Sequence, residues 1–187
     1  MNVYLSGMIG SGKTTLGEML AETLGFGLVD LDREMDRRLG YSFHDLVREQ
    51  GWLPFRELEY SICKDFSRLS WNVVCLGGGT VRYEWNIDVM RGTGIMILLE
   101  ASEEELIRRV SLADRPRVNT GTTLEEDIRR MWREHAGTYR ATADYVVRSD
   151  RDSREEELED LLAVVIRDTR FRNAPVPSEI VSRYREV

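Results

Sequence analysis

With 187 residues, 42% hydrophobic and 32% charged, the chain has the length and composition of one compact domain with a real core, which excludes a disordered or fibrous protein. Its 26 basic and 33 acidic residues leave a net charge of −7, so neither nucleic acid nor an anionic membrane is offered general electrostatic attraction. Cys63 and Cys75 are too few for a disulfide scaffold and form no C-x-x-C pair, and no apolar stretch approaches the ~20 residues of a bilayer span. The first residues read as a strand and not as a signal peptide. The expectation is a cytoplasmic monomer with reduced cysteines and no nucleic-acid or membrane partner.

In chain order, short β-rich runs occur at 3–5, 27–29, 73–76, 95–99 and 145–147, separated by text of helical character. Residues 14–24 place Leu16, Met19, Leu20 and Leu24 on one face, and 103–110, 124–139 and 153–168 read as further helices. This alternation predicts a parallel sheet covered on both sides. Between Asp30 and about Ser70 no strand is convincing; a Gly40 stop, a Ser42 start and the apolar set Phe55, Leu58 and Ile62 suggest a helical insertion. Residues 111–123 mix arginines with Pro116, Asn119 and Gly121, a composition suited to a mobile lid. Residues 171–187 carry Pro175 and Pro177 and no firm pattern, and are expected to be a tail outside a single domain over 1–170.

The sharpest local signal is Gly7-Met8-Ile9-Gly10-Ser11-Gly12-Lys13-Thr14, a G-x-x-x-x-G-K-[ST] pattern between the first strand and the first helix. Glycines let backbone N–H groups converge on phosphate oxygens, and the helix start adds its positive end. Gly10, Ser11, Gly12, Lys13, Thr14 and Thr15 are therefore the candidate nucleotide-binding residues. Lys13 is placed to bridge β- and γ-phosphates, and the Thr14 hydroxyl to hold Mg²⁺. Of the 26 basic residues only Lys13 and Lys64 are lysines, so a chain that prefers arginine has kept a compact ammonium here.

The phosphoryl acceptor must be read elsewhere. Asp30 and Asp32 follow the second strand, where ligands bind in open parallel sheets. Gly77, Gly78 and Gly79 follow the third strand and permit close backbone approach. Arg56 lies in the insertion; Arg108, Arg115 and His135 lie downstream. Between 108 and 140, eight arginines face five acidic residues, a local cationic excess. Each feature has a quieter reading: Asp32 as a helix cap, Arg56 as a surface charge, the glycines as a turn.

Taken together, residues 7–14, Asp30-x-Asp32, Gly-Trp-x-x-Phe-Arg at 51–56, Gly77 to Gly79, Arg115-Pro116 and residues 133–139 resemble shikimate kinase, and the lid text is closest in look to its second bacterial isoform. The resemblance implies an α/β P-loop NTPase fold, a three-layer sandwich with a five-stranded parallel sheet, nucleoside-monophosphate-kinase-like. Its acceptor-binding insertion falls at about 30–62 and its mobile lid at about 111–123.

The implied reaction is transfer of the ATP γ-phosphoryl group to the 3-hydroxyl of shikimate, toward chorismate and the aromatic amino acids, with ATP and Mg²⁺ as donor and metal. Lys13, Asp32 and Arg115 would be catalytic, and Arg108 would lie near the adenine. Thr14 and Asp30 would serve the metal. Asp32, Arg56, Gly77, Gly78, Gly79 and His135 would meet shikimate.

One departure stands out: His135 occupies a position that is normally an arginine gripping the acceptor carboxylate. Three expectations stay open: Arg133 or Arg140 swings in, His135 binds as imidazolium, or the acceptor is a different hydroxy acid or sugar acid. The remaining rival is a nucleotide-binding regulatory module without turnover.

Overall fold

A strand covered on both faces needs apolar side chains in both directions, which is why the central strands read as unbroken hydrophobic runs. In the computed structural model, residues 1–112 and 122–185 are described. Strands β1 (Asn2–Ser6), β2 (Gly27–Asp30), β3 (Asn72–Cys75), β4 (Gly94–Glu100) and β5 (Tyr145–Arg148) form one sheet in the order β2-β3-β1-β4-β5. Every neighbouring pair is parallel.

Helices α1 (Lys13–Leu24), α2 (Leu31–Leu39), α3 (Phe43–Gln50), α4 (Trp52–Ser67), α5 (Glu84–Met90), α6 (Glu103–Ser111), α7 (Leu124–Thr142), α8 (Arg154–Arg167) and α9 (Ser178–Arg185) cover it. Val3, Leu5, Ile95, Ile97 and Leu99 bury one face against Leu16 and Leu20 of α1 and Leu161 and Val165 of α8. Tyr4, Met96 and Leu98 bury the other against Ile62 of α4 and Ile128 and Tyr139 of α7. This is the expected three-layer arrangement.

Local chemistry sets the boundaries. Gly40 ends α2 with φ 76, and the Ser42 side chain accepts from the His44 backbone N–H to start α3. Thr123 and Glu126 close a reciprocal capping box at the start of α7. Gly17 lets α1 approach β3 closely, because a Cβ there would stand 2.2 Å from Cys75 Sγ. The insertion is three helices, α2 to α4.

The structure adds two things. A 3-10 turn (Thr80–Arg82) and α5 follow the glycine run, where no element was expected. The expected tail carries α9, which packs on α8: Tyr184 is buried and its hydroxyl donates to Glu159. Ile180 and Tyr184 are a stripe of only two residues, too short to signal a helix in sequence. Phe171 is buried with ring centroids 6.3 Å from Phe26 and 6.2 Å from Trp71. Residues past 170 therefore complete the core on this face.

Truncating that ring should show it. Phe171→Ala is expected to lower unfolding free energy by about 3–5 kcal/mol in urea titration; a loss of only a few tenths would mean the C-terminal segment merely rests on the surface.

Candidate active site

Register assembles the site. Leu5 and Asp30 both pair with Cys75, so β1, β2 and β3 end level with one another and their loops emerge along one edge of the sheet. Ligands of open parallel sheets bind outside such carboxyl ends, where the chain diverges to the two sides of β1.

After β1, the loop 7–14 turns through positive φ at Gly10 (84) and Gly12 (89), conformations open to glycine at low cost. Lys13 Nζ donates to the carbonyls of Gly7 and Met8 at 2.9 Å each, folding its ammonium back over the loop. Ser11 Oγ is buried with no hydrogen-bond partner within the protein, an unmet polar atom inside a loop built to receive one. Burial pushes the Cys75 thiol up to about 12, so it stays protonated and donates to the Lys13 carbonyl at 3.1 Å, tying β3 to the start of α1.

Thr14 Oγ1 donates to Asp30 Oδ2 at 2.6 Å, pairing the two residues singled out for a metal. Asp30 also caps α2, accepting from the Arg33 N–H. Asp32 sits in the first turn of α2, with Oδ1 3.2 Å from where a Cβ on Gly77 would be. Gly78 faces the phosphate loop, its missing Cβ being 3.5 Å from the Ile9 nitrogen, and its carbonyl accepts from the Tyr139 hydroxyl. Asp32, the glycine run and the phosphate loop thus line one crevice.

Arg56 is 8% exposed and its neighbour Glu59 is 1% exposed. Arg56 Nη1 donates to Glu59 Oε2 at 2.8 Å. The same carboxylate accepts from Thr80 Oγ1 at 2.8 Å and Asn86 Nδ2 at 3.0 Å, so its charge is satisfied by three elements at once. The guanidinium lies 5.2, 4.7 and 4.4 Å from the ring centroids of Trp52, Phe55 and Tyr83, an aromatic cage that favours a cation. Its Nε is buried without a partner, so this arginine keeps a donor to offer.

Sequence reasoning missed several of these residues. Glu59 carried no signal beyond its spacing from Arg56, and Tyr139 was placed only within a motif. Arg82, in the 3-10 turn, brings Nη2 within 2.6 Å of a would-be Gly79 Cβ, beside Arg56 Nη2 at 3.2 Å.

Near the phosphate loop the structure brings Arg109 rather than Arg108: Arg109 Nη1 donates to the Gly10 carbonyl at 3.3 Å, while Arg108 is exposed and bound to Glu105. Successive helical residues point about 100° apart, which separates these neighbours. Arg154 of α8 also reaches Gly12, its Nη1 2.9 Å from a would-be Cβ. Arg115 and most of the expected lid lie outside the described residues.

The residues considered for the acceptor carboxylate on α7 differ in their surroundings. Arg140 is exposed and bound twice to Glu100, at 2.9 and 3.0 Å, and Arg133 is exposed and lines a cleft with Glu126 and Arg130. His135 is partly buried; burial first, and then the positive charge of Arg82, hold its pKa below the usual imidazole range. Neutral imidazole is therefore its form at neutral pH.

A cleft lined by Tyr4, Met90, Gly94, Asp144 and Arg170 opens near the amino ends of β1 and β4, away from all of these loops. Among the described residues no group of three or more His, Cys, Asp or Glu is arranged to hold a metal, and no helix is long and apolar enough to cross a membrane.

Comparison with known proteins bears on the family and the fold. A sequence model of the shikimate kinase family matches residues 9–166. The shikimate kinase of Caldanaerobacter subterraneus subsp. tengcongensis is 34% identical over 167 residues, 89% of this chain and 96% of that one. The shikimate kinase 2 of Salmonella paratyphi B is 35% identical over 148 residues, 78% and 81% of the two chains. Among solved structures, shikimate kinase from Acinetobacter baumannii in complex with shikimate superposes with a TM-score of 0.81 at 26% identity, covering 88% of this chain and 92% of the other. A gluconokinase from Sinorhizobium meliloti, 17% identical with a TM-score of 0.52 over 87% and 89%, shares the fold alone.

Two measurements check the electrostatics. In an NMR titration His135 should have its midpoint below about 6.5, and Arg82→Gln should move it upward because a positive neighbour is gone; no movement would separate the two side chains. Glu59→Ala, which strips a buried guanidinium of its counter-charge, should cost about 3–5 kcal/mol in denaturant unfolding, and a loss under about 1 kcal/mol would mean the pair is solvated.

Proposed function

Because the chain belongs to the shikimate kinase family, whose reaction is ATP-dependent phosphorylation of shikimate, we propose that its crevice holds the two substrates with the 3-hydroxyl of shikimate facing the γ-phosphate. The observation that carries this reading is the convergence of the phosphate loop, Asp32, and the Gly77–Arg56 neighbourhood at one sheet edge.

Phosphoryl transfer asks a protein mainly to position two anions and to neutralise charge spreading over the γ-oxygens. Loop N–H groups and the start of α1 bind the phosphates, and Lys13 Nζ exchanges its two loop carbonyls for phosphate oxygens. Arg56, held by Glu59, offers its free edge to the acceptor carboxylate. Backbone N–H groups of Gly78 and Gly79 meet the ring hydroxyls. Asp32 accepts the proton of the 3-hydroxyl as its oxygen attacks; the new P–O bond forms as the bond to the bridging oxygen of ADP breaks. Arg115 meets the transferring group, Arg108 lies toward the adenine, and Arg109 stands beside the phosphate loop.

The oxygens of Thr14 and Asp30, 2.6 Å apart, are a hard donor pair of the kind Mg²⁺ takes, and these two residues would hold the ion. A Mg²⁺ ion there would neutralise phosphate charge. The proposed enzyme acts as a monomer in the cytoplasm.

Asp32→Asn should lower kcat by about a hundredfold to ten-thousandfold while ATP binding is kept. A coupled ADP assay with shikimate and gluconate should show turnover of shikimate; an Asp32→Asn enzyme of undiminished kcat, or preference for gluconate, would contradict the reading.

A further inference from the structure

A carboxylate acceptor beside one arginine leaves an oxygen to satisfy, and His135, neutral at neutral pH, supplies no charge-assisted fork for it. Arg82 is the side chain positioned to supply one. Its Nη2 and that of Arg56 stand 2.6 and 3.2 Å from the same point, the place of a Cβ on Gly79, so the two guanidinium tips converge over the glycine run. Among the described residues Arg82 forms no ion pair, and its one hydrogen bond is a long one, Nε to the Gly79 carbonyl at 3.5 Å.

In this it differs from Arg33, Arg37, Arg38, Arg108, Arg109 and Arg140, which each sit on a carboxylate. Arg82 is half-buried with its charge unmatched, beside Arg56, whose Nε is buried and unpartnered. Two cations held together without an anion between them repel one another, and a bound carboxylate removes that repulsion.

Burial of Tyr139 places its phenol, raised to about 12, where both Arg82 and Arg56 act on it, and His135 feels Arg82 from the same helix. Arg82 thus reaches the face of α7 from which His135 projects. Resting on the function proposed above, we propose that Arg82 is the second carboxylate-binding arginine of this enzyme, gripping the acceptor opposite Arg56 from the 3-10 turn after the glycine run.

The test is steady-state kinetics of Arg82→Ala and Arg82→Gln with shikimate and with its uncharged methyl ester. The KM for shikimate should rise about tenfold to a hundredfold, with the KM for ATP within about twofold of the unmodified enzyme. The ester, which lacks the charge, should show little change between enzymes. Arg82→Lys should recover part of the loss, and His135→Arg placed in the Arg82→Ala background should recover most of it by restoring a guanidinium from α7. Arg133→Ala and Arg140→Ala should leave the KM for shikimate unchanged.

An unaltered KM for shikimate in both Arg82 variants, or an equal rise for the ester, would overturn the inference while leaving the proposed function intact. Failure of the unmodified enzyme to phosphorylate shikimate would instead overturn the function, and this inference with it.

Discussion

The whole arrangement depends on parallel register at three positions. Leu5 pairs with Cys75 and Cys75 with Asp30, so three strands stop at one height. Because strand side chains alternate, a slip of one residue would send Val3 and Leu5 to the opposite face and displace each loop from its neighbours. The register is fixed by burial: Val73 and Cys75 pack toward α1 while Val74 packs toward α4. A structural requirement of the core thereby delivers a phosphate loop, a pair of aspartates and three glycines to a common edge.

On that edge the acceptor side is organised by a buried carboxylate. Glu59 is nearly inaccessible, yet its oxygens take bonds from Arg56, Thr80 and Asn86. Such a group ties α4 to the turn after the glycine run and to α5, and it fixes the orientation of the Arg56 guanidinium. A buried ion pair contributes little net stability against an apolar alternative. Its value here is orientation: it sets the direction of a binding group before the ligand arrives. The aromatic rings around Arg56 act with it, keeping the cation in place while limiting competing water.

Much of this was legible in the sequence, for physical reasons. Fully buried strands leave continuous apolar runs, a phosphate loop needs glycines and a lysine at fixed spacing, and Gly40 and Ser42 punctuate α2 and α3 as their backbone chemistry requires. The residues that stayed hidden are those whose roles arise only from packing. Arg109 and Arg108 are adjacent in sequence, and only the rotation of α6 decides which reaches the loop. Glu59 became visible once Thr80 and Asn86 were brought to it from another part of the chain. Arg82 lies in a 3-10 turn with no periodicity, and α9 shows too narrow an apolar stripe to separate it from a tail. His135 could be singled out in the sequence, but Arg82, whose charge acts on it, could not.

A crystal structure of the enzyme with ADP, Mg²⁺ and shikimate tests the central claim most directly, because it locates both ends of the acceptor at once. The account requires the 3-hydroxyl within hydrogen-bond reach of Asp32, on the side facing the loop that carries Lys13, with the carboxylate against Arg56. Shikimate bound away from the glycine run, or turned so that its carboxylate faces Asp32, would contradict it.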